Sequence, residues 1–381
     1  MPWFQMETTD DGYTEWSHWQ WFGKGPKHDP DEFLENGQRD IASVFYPLIG
    51  PYDGRDPAVL EYHLLSARAA GIEGFIVDWY GPNTYSDETF KTLLDMAETL
   101  GMQVAICLEE KAFFPPYSKA NSREEALAEA ARHIRYIQET YTQSPAYLHQ
   151  EGLPVFYVFL GHEEGRLGPN TLSPEEIREL MNAVEPPLPF LFRPHWDPAY
   201  AETTDGAFAW CGDPEYRDWF YRTAEDQLSG NTISTFTGVA SPGFDDSGVW
   251  GWGNGPRFRD RRDGEEYREN WREILVANPP AVQIVTWNDF EEGTTIEPAR
   301  EYGFTYLDMT ESFIAEYTGR PADLSDNDAA YLLYQLRMHL RINPDASLSG
   351  QLNAQREAWV NGAPPPVEAW REQTQSLLQH P

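Results

Sequence analysis

Short apolar runs recur along the chain, separated by stretches with helical spacing. Eight of them read as strands: "IASVFYP" (41–47), "GFIVDWY" (74–80), "QVAICLE" (103–109), "PVFYVFL" (154–160), "PFLFRP" (189–194), "GAFAW" (206–210), "ISTFTGVA" (233–240) and "AVQIVTW" (281–287). Near-continuous apolar strands suit a parallel sheet covered on both faces. The segments between them carry helix punctuation. "DPAVLEYHLLSARAAG" (56–71) offers Asp56 as N-cap, a proline in the first turn and a closing glycine. "SDETFKTLLDMAETLG" (86–101) repeats that form, and 121–141, 173–184, 213–228 and 264–278 follow the same logic. Strand–helix alternation of this kind predicts an α/β chain folded as a single (β/α)8 TIM barrel with extended βα loops. In this reading residues 1–342 make the barrel. Residues 343–381, rich in Pro, Gln, Ala and Glu, make a helical or loop extension packed on it or trailing from it. An open doubly wound sheet is the alternative, but no Gly-x-Gly-x-x-Gly follows the first strand and no phosphate-binding loop occurs.

Charge narrows the partners. The formal net charge is −34 over 381 residues, and lysine is confined to Lys24, Lys27, Lys91, Lys111 and Lys119. Such a surface repels nucleic acid and anionic membranes, and it fits solubility in high salt. No run is apolar for about 18 residues, so no membrane span is predicted. The start, "MPWFQMETTDDGYTEW", lacks a basic region followed by an apolar run. No signal peptide is read there, and a cytoplasmic monomer is expected unless a leader is missing. Cys107 and Cys211 sit on separate apolar runs and read as buried thiols. With 14 Trp the chain can fill a core and also supply platforms for the C–H faces of sugar rings.

Barrel enzymes carry their chemistry at the carboxyl ends of the strands. There the sequence places Tyr46; Asp78, Trp79 and Tyr80; Glu109; His195 and Trp196; Asp245 and Asp246; and "TWNDFEEG", with Trp287, Asn288, Asp289, Glu291 and Glu292. A cleft of carboxylates between aromatic rings suits cleavage of a glycosidic bond, which needs one protonated acid and one carboxylate. Neighbouring acids meet that need, because their repulsion retains a proton near neutral pH. Asp289 and Glu292 are three apart, so a turn after the last strand brings both to one side. Asn288 would bond a sugar hydroxyl or a carboxylate. Glu291 is expected to point elsewhere, and Glu297 to brace the loop. No His-x-Asp, His-Glu-x-x-His or paired-His spacing lies at a strand end, so neither metal nor cofactor is predicted. A carboxylate Ca2+ or Mg2+ site is the rival reading. No Gly-x-Ser-x-Gly elbow supports serine-hydrolase chemistry.

"PLIGPYDGRDPAVLEYHLLSARAAGIEGFIVDWYG" (47–81) and "TWNDFEEGTTIEP" (286–298) resemble glycoside hydrolase family 99, the endo-α-mannosidases and endo-α-mannanases. The resemblance covers most of residues 40–300 and includes the stretch from "SPGFDDSGVWGWGNG" onward. It implies a (β/α)8 barrel that cleaves within α-mannosyl chains without a metal, using the substrate's 2-hydroxyl as nucleophile. The family motif is Asn-Glu-x-x-Glu. Asn288 matches its Asn and Glu292 its acid/base, while Asp289 stands where the first Glu is expected. Asn-Asp-x-x-Glu is also similar to the pattern of family 71, the inverting α-1,3-glucanases. Glu109 resembles the family 99 acid that contacts substrate after strand three. The reading is therefore a glycosidase of α-linked poly- or oligosaccharide, α-mannan first and α-glucan second. Asp289 and Glu292 are its catalytic pair, and Tyr46, Asp78, Trp79, Tyr80, Glu109, His195, Trp196, Asp246, Trp287 and Asn288 bind substrate. A non-catalytic glycan-binding barrel is the alternative.

Overall fold

The computed structural model describes residues 7–8, 14–114, 118–159, 162–163, 166–167, 172–182, 190–194, 200, 203–322 and 326–379. Seven parallel strands form one sheet in chain order: β1 (Gly74–Trp79), β2 (Gln103–Glu109), β3 (Leu153–Phe159), β4 (Phe190–Pro194), β5 (Gly206–Phe208), β6 (Thr235–Ala240) and β7 (Ala281–Ile284). Helices α1 (Pro57–Ala69), α2 (Tyr85–Leu100), α3 (Arg123–Thr140), α4 (Pro174–Asn182), α5 (Pro214–Ser229) and α6 (Glu265–Ala277) alternate with the strands, and α7 (Thr305–Thr318) and α8 (Ala329–Ile342) follow β7. The helix signals act locally. Asp56 Oδ1 accepts the Ala58 N–H at 2.9 Å, capping α1 ahead of Pro57. Thr84 rather than Ser86 caps α2, and Gly101 ends it in the left-handed conformation. Ser86 instead accepts the Tyr80 N–H at 2.9 Å, which ties the end of β1 to the helix after it.

The first predicted strand is absent. Residues 41–47 bend, and their backbone groups are engaged by the loop beyond β7. The Tyr46 N–H donates to Glu301 Oε2 at 2.9 Å, the Leu48 N–H to the Pro298 carbonyl at 2.8 Å and the Arg300 N–H to the Tyr46 carbonyl at 2.8 Å. With those groups taken, the segment makes one bridge, Pro47 to Ala299, in place of a ladder. Among the described strands no pairing joins β1 to β7. Aromatic packing spans that seam instead, with the Phe75 and Trp287 rings edge to face at 5.4 Å.

The stretch after residue 343 is two helices, α9 (Ala346–Val360) and α10 (Val367–Gln379). Trp359 and Trp370 are buried in the main core cluster, and Arg356 reaches Glu61 of α1 at 3.3 Å.

Candidate active site

The strands converge on a cavity of about 980 Å3 whose mouth is lined by Asp78, Tyr80, Glu109, Trp210, Asp289 and Glu292. The cavity continues along the unpaired seam to Glu73 and Arg320 at the other end of the sheet. β7 stops at Ile284, short of the predicted Trp287, because the chain beyond it pairs with its own return. The Thr286 N–H donates to the Thr294 carbonyl at 2.9 Å and the Ile296 N–H to the Thr286 carbonyl at 3.0 Å. The loop also locks onto the segment after β6. The Asp245 N–H donates to the Glu292 carbonyl at 2.9 Å. Gly293, at φ +60°, lies so close that a Cβ would sit 2.6 Å from the Asp245 carbonyl oxygen.

This loop brings the two acids together. The Asp289 N–H donates to Thr286 Oγ1 at 2.9 Å, and Asp289 Oδ1 accepts the Glu292 N–H at 2.8 Å. The i, i+3 spacing is thus realised as a side-chain-capped turn, with both carboxyls lining the cavity. Asp289 is 9% exposed, and burial raises its carboxyl above the ordinary value against the pull of the Glu292 N–H. Burial, then the Asp289 charge beside it, pushes Glu292 up to about 8. Two groups oppose that rise. Arg257 Nη2 stands 3.6 Å from Glu292 Oε1, and the Trp252 indole beside it also favours the ionised form.

Other predicted residues divide by where they face. Asp78, Tyr80, Glu109 and Trp287 line the cavity. The Trp287 indole N–H donates to His63 Nδ1 at 3.0 Å, which holds the ring in place. Asn288 does not face the cavity; it is buried behind the loop, its Nδ2 donating to the Tyr52 hydroxyl at 2.9 Å. Trp79 also turns away, because side chains alternate along a strand: it is fully buried, edge to face with His133 at 5.3 Å. Tyr46 packs in a separate apolar cluster under Arg300. Asp246 is fully buried and holds Arg257, with Nη2 to Oδ2 at 2.6 Å, and does not line the cavity; its charge adds to the rise of Glu292. His195 and Trp196 lie outside the described residues. Glu291 meets His18 Nδ1 at 2.8 Å. Glu297 is fully buried, accepts from the Tyr52 hydroxyl at 2.7 Å and is pushed by burial up to about 8.

The cavity also contains residues that were not among the candidates named from the sequence. His18 and Trp252 arrive from an N-terminal arm and from the loop after β6, and Trp210 follows β5. Trp210 lay at the end of a predicted strand and was findable by the strand-end rule. His18 precedes every predicted element and carried no signal. Among the described residues no group of three or more His, Cys, Asp or Glu is arranged to hold a metal ion, and no helix is long and apolar enough to cross a membrane.

The profile of glycosyl hydrolase family 99 matches residues 1–164, which stops short of the acidic loop. The glycoprotein endo-alpha-1,2-mannosidase of Mus musculus is 25% identical over 336 residues, covering 80% of this chain and 69% of that protein. A glycoprotein endo-alpha-1,2-mannosidase-like protein of Homo sapiens is 26% identical over 315 residues, covering 74% and 65%. The solved GH99 endo-alpha-mannosidase of Bacteroides thetaiotaomicron superposes with a TM-score of 0.66 at 20% identity, over 84% of this chain and 96% of that one. That superposition shows a shared fold.

Proposed function

We propose that this chain, similar in sequence and fold to family 99 glycoside hydrolases, is an endo-acting glycosidase of α-linked mannan-type chains, its sheet completing a family-type (β/α)8 barrel. The observation that carries the reading is the Asp289–Glu292 pair. One acid keeps its proton through neutral pH beside a second, inside a cavity large enough for sugar rings. Glu292 delivers its proton to the bridging oxygen as the bond to the anomeric carbon breaks. Asp289 takes a proton from the attacking group, either the sugar's own 2-hydroxyl or a water. Asp78, Glu109 and Tyr80 accept and donate hydrogen bonds to hydroxyls, and Trp287 and Trp210 supply apolar faces. The test is Glu292→Gln with product analysis on α-mannans and α-glucans. It should abolish release of reducing ends while glycan binding persists; unchanged turnover refutes the assignment.

One observation favours a non-catalytic glycan-binding protein instead. Asp289, a methylene shorter than the Glu of the family motif, already uses Oδ1 to cap the loop. Binding without turnover by the unmodified protein across the same panel would decide for that reading.

A further inference from the structure

The segment "WFGKG" (21–25) and the loop 247–254 meet at the rim of the cavity, and neither is a strand end. Trp252 is 40% exposed and lines the cavity together with Glu292, whose carboxyl value its indole lowers. Trp21 stands against it, with ring centroids 6.0 Å apart and planes at 83°, so the two indoles form an open corner. The Trp21 N–H is already satisfied by the Lys24 carbonyl at 2.8 Å, which leaves the ring's apolar surface as what it offers. The backbone is bent to build this corner. Trp250, Gly251 and Trp252 all adopt left-handed conformations, with φ of 48°, 61° and 56°. Two tryptophans in that region are strained, and such strain concentrates where a side chain must be aimed. Gly25, at φ +88°, fits the arm onto the loop: a Cβ there would lie 2.2 Å from Trp250 Cγ.

We propose that Trp21 and Trp252 form a stacking subsite for a neutral hexose on the leaving-group side of the cleaved bond, built jointly by the N-terminal arm and the loop after β6. The proposal rests on the glycosidase reading. Side follows from chemistry: the acid that protonates the departing oxygen is Glu292, and Trp252 lines the cavity beside it. A sugar leaving toward Glu292 meets the Trp252 ring, and the next unit along the chain meets Trp21. Uncharged indoles select the C–H face of a ring and not a phosphate or carboxylate.

The test uses the intact protein with Trp21→Ala and Trp21→Phe, on a long α-mannan-type oligosaccharide and on an aryl α-glycoside whose leaving group ends before Trp21. Trp21→Ala should lower kcat/KM on the long chain about tenfold, through KM, and leave the aryl glycoside unchanged; tenfold is about 1.4 kcal/mol. Trp21→Phe should retain most of the activity. No loss on the long chain, or an equal loss on both substrates, overturns the subsite. If the unmodified protein cleaves no glycan, the glycosidase reading fails separately, and mobility in gels containing α-mannan tests the subsite alone. Retardation of the unmodified protein but not of Trp21→Ala supports it; equal retardation, or none for either, overturns it.

Discussion

In the proposed mechanism Glu292 sets the alkaline limit of activity, and Arg257 is the handle that moves it. A general acid must hold its proton, so kcat/KM falls as pH rises through the carboxyl's value of about 8. The guanidinium 3.6 Å away favours the ionised form and keeps that value from being higher. Two unit charges at that distance interact by about 1 kcal/mol at the dielectric of water and about 5 kcal/mol at an effective dielectric of 20. The Arg257 side chain is 60% exposed, which places the interaction near the lower figure. Since about 1.4 kcal/mol is one pH unit, Arg257→Met should raise the alkaline limb by close to one unit. The substitution also leaves buried Asp246 without its cation, and that charge pushes Glu292 further in the same direction. The double variant Asp246→Asn/Arg257→Met should therefore shift the limb less than Arg257→Met alone. The assay is kcat/KM for reducing-end release from α-mannan between pH 5 and 10. A limb that stays put or moves down in Arg257→Met would refute the electrostatic argument, and a larger shift in the double variant would refute the role given to Asp246.

Asp289→Asn keeps a carbonyl oxygen for the Glu292 N–H but cannot accept a proton, so kcat should fall by about 10²- to 10⁴-fold with thermal stability nearly unchanged; parallel kinetics and melting curves check this, and an unchanged kcat in the folded variant would leave Asp289 a cap only. Glu297 is fully buried with a carboxyl raised from 4.5 to about 8, so its contribution to stability is complete below the unfolded value and is lost as pH rises through about 8. Melting temperature should accordingly drop between about pH 5 and 8, with a slope approaching about 1.4 kcal/mol per pH unit from this group, and level off above that, and Glu297→Gln should flatten the drop. Identical slopes in the two proteins would show that Glu297 is not the group that titrates.

Much of the scaffold was legible because its determinants are local. β2 spans the predicted residues 103–109, and α1, α3 and α5 start beside the capping residues Asp56, Ser122 and Asp213. The acidic pair was legible for the same reason, since a three-residue spacing within one turn needs no distant partner. Residues 41–47 failed as a strand although their composition suits one, because hydrogen bonds from the Pro298–Glu301 segment took the backbone groups a ladder requires. Likewise the i, i+3 geometry of a turn could be read, but not that Asp289 would cap it.

The sequence by itself determined the alternation of strands and helices, the acid-rich loop after the last strand and a strongly acidic net charge. Only the tertiary structure decided which acids face the cavity and which titrate abnormally. Alternation along β1 sends Asp78 into the cavity and Trp79 into the core, and Asp246 is withdrawn behind Arg257. It also decided that residues 21–25 and 250–252, more than two hundred positions apart, share one rim. Capping and periodicity act over a few residues and can be read along the chain. Burial and charge proximity depend on what arrives from elsewhere, and they are what hold the proton on Glu292.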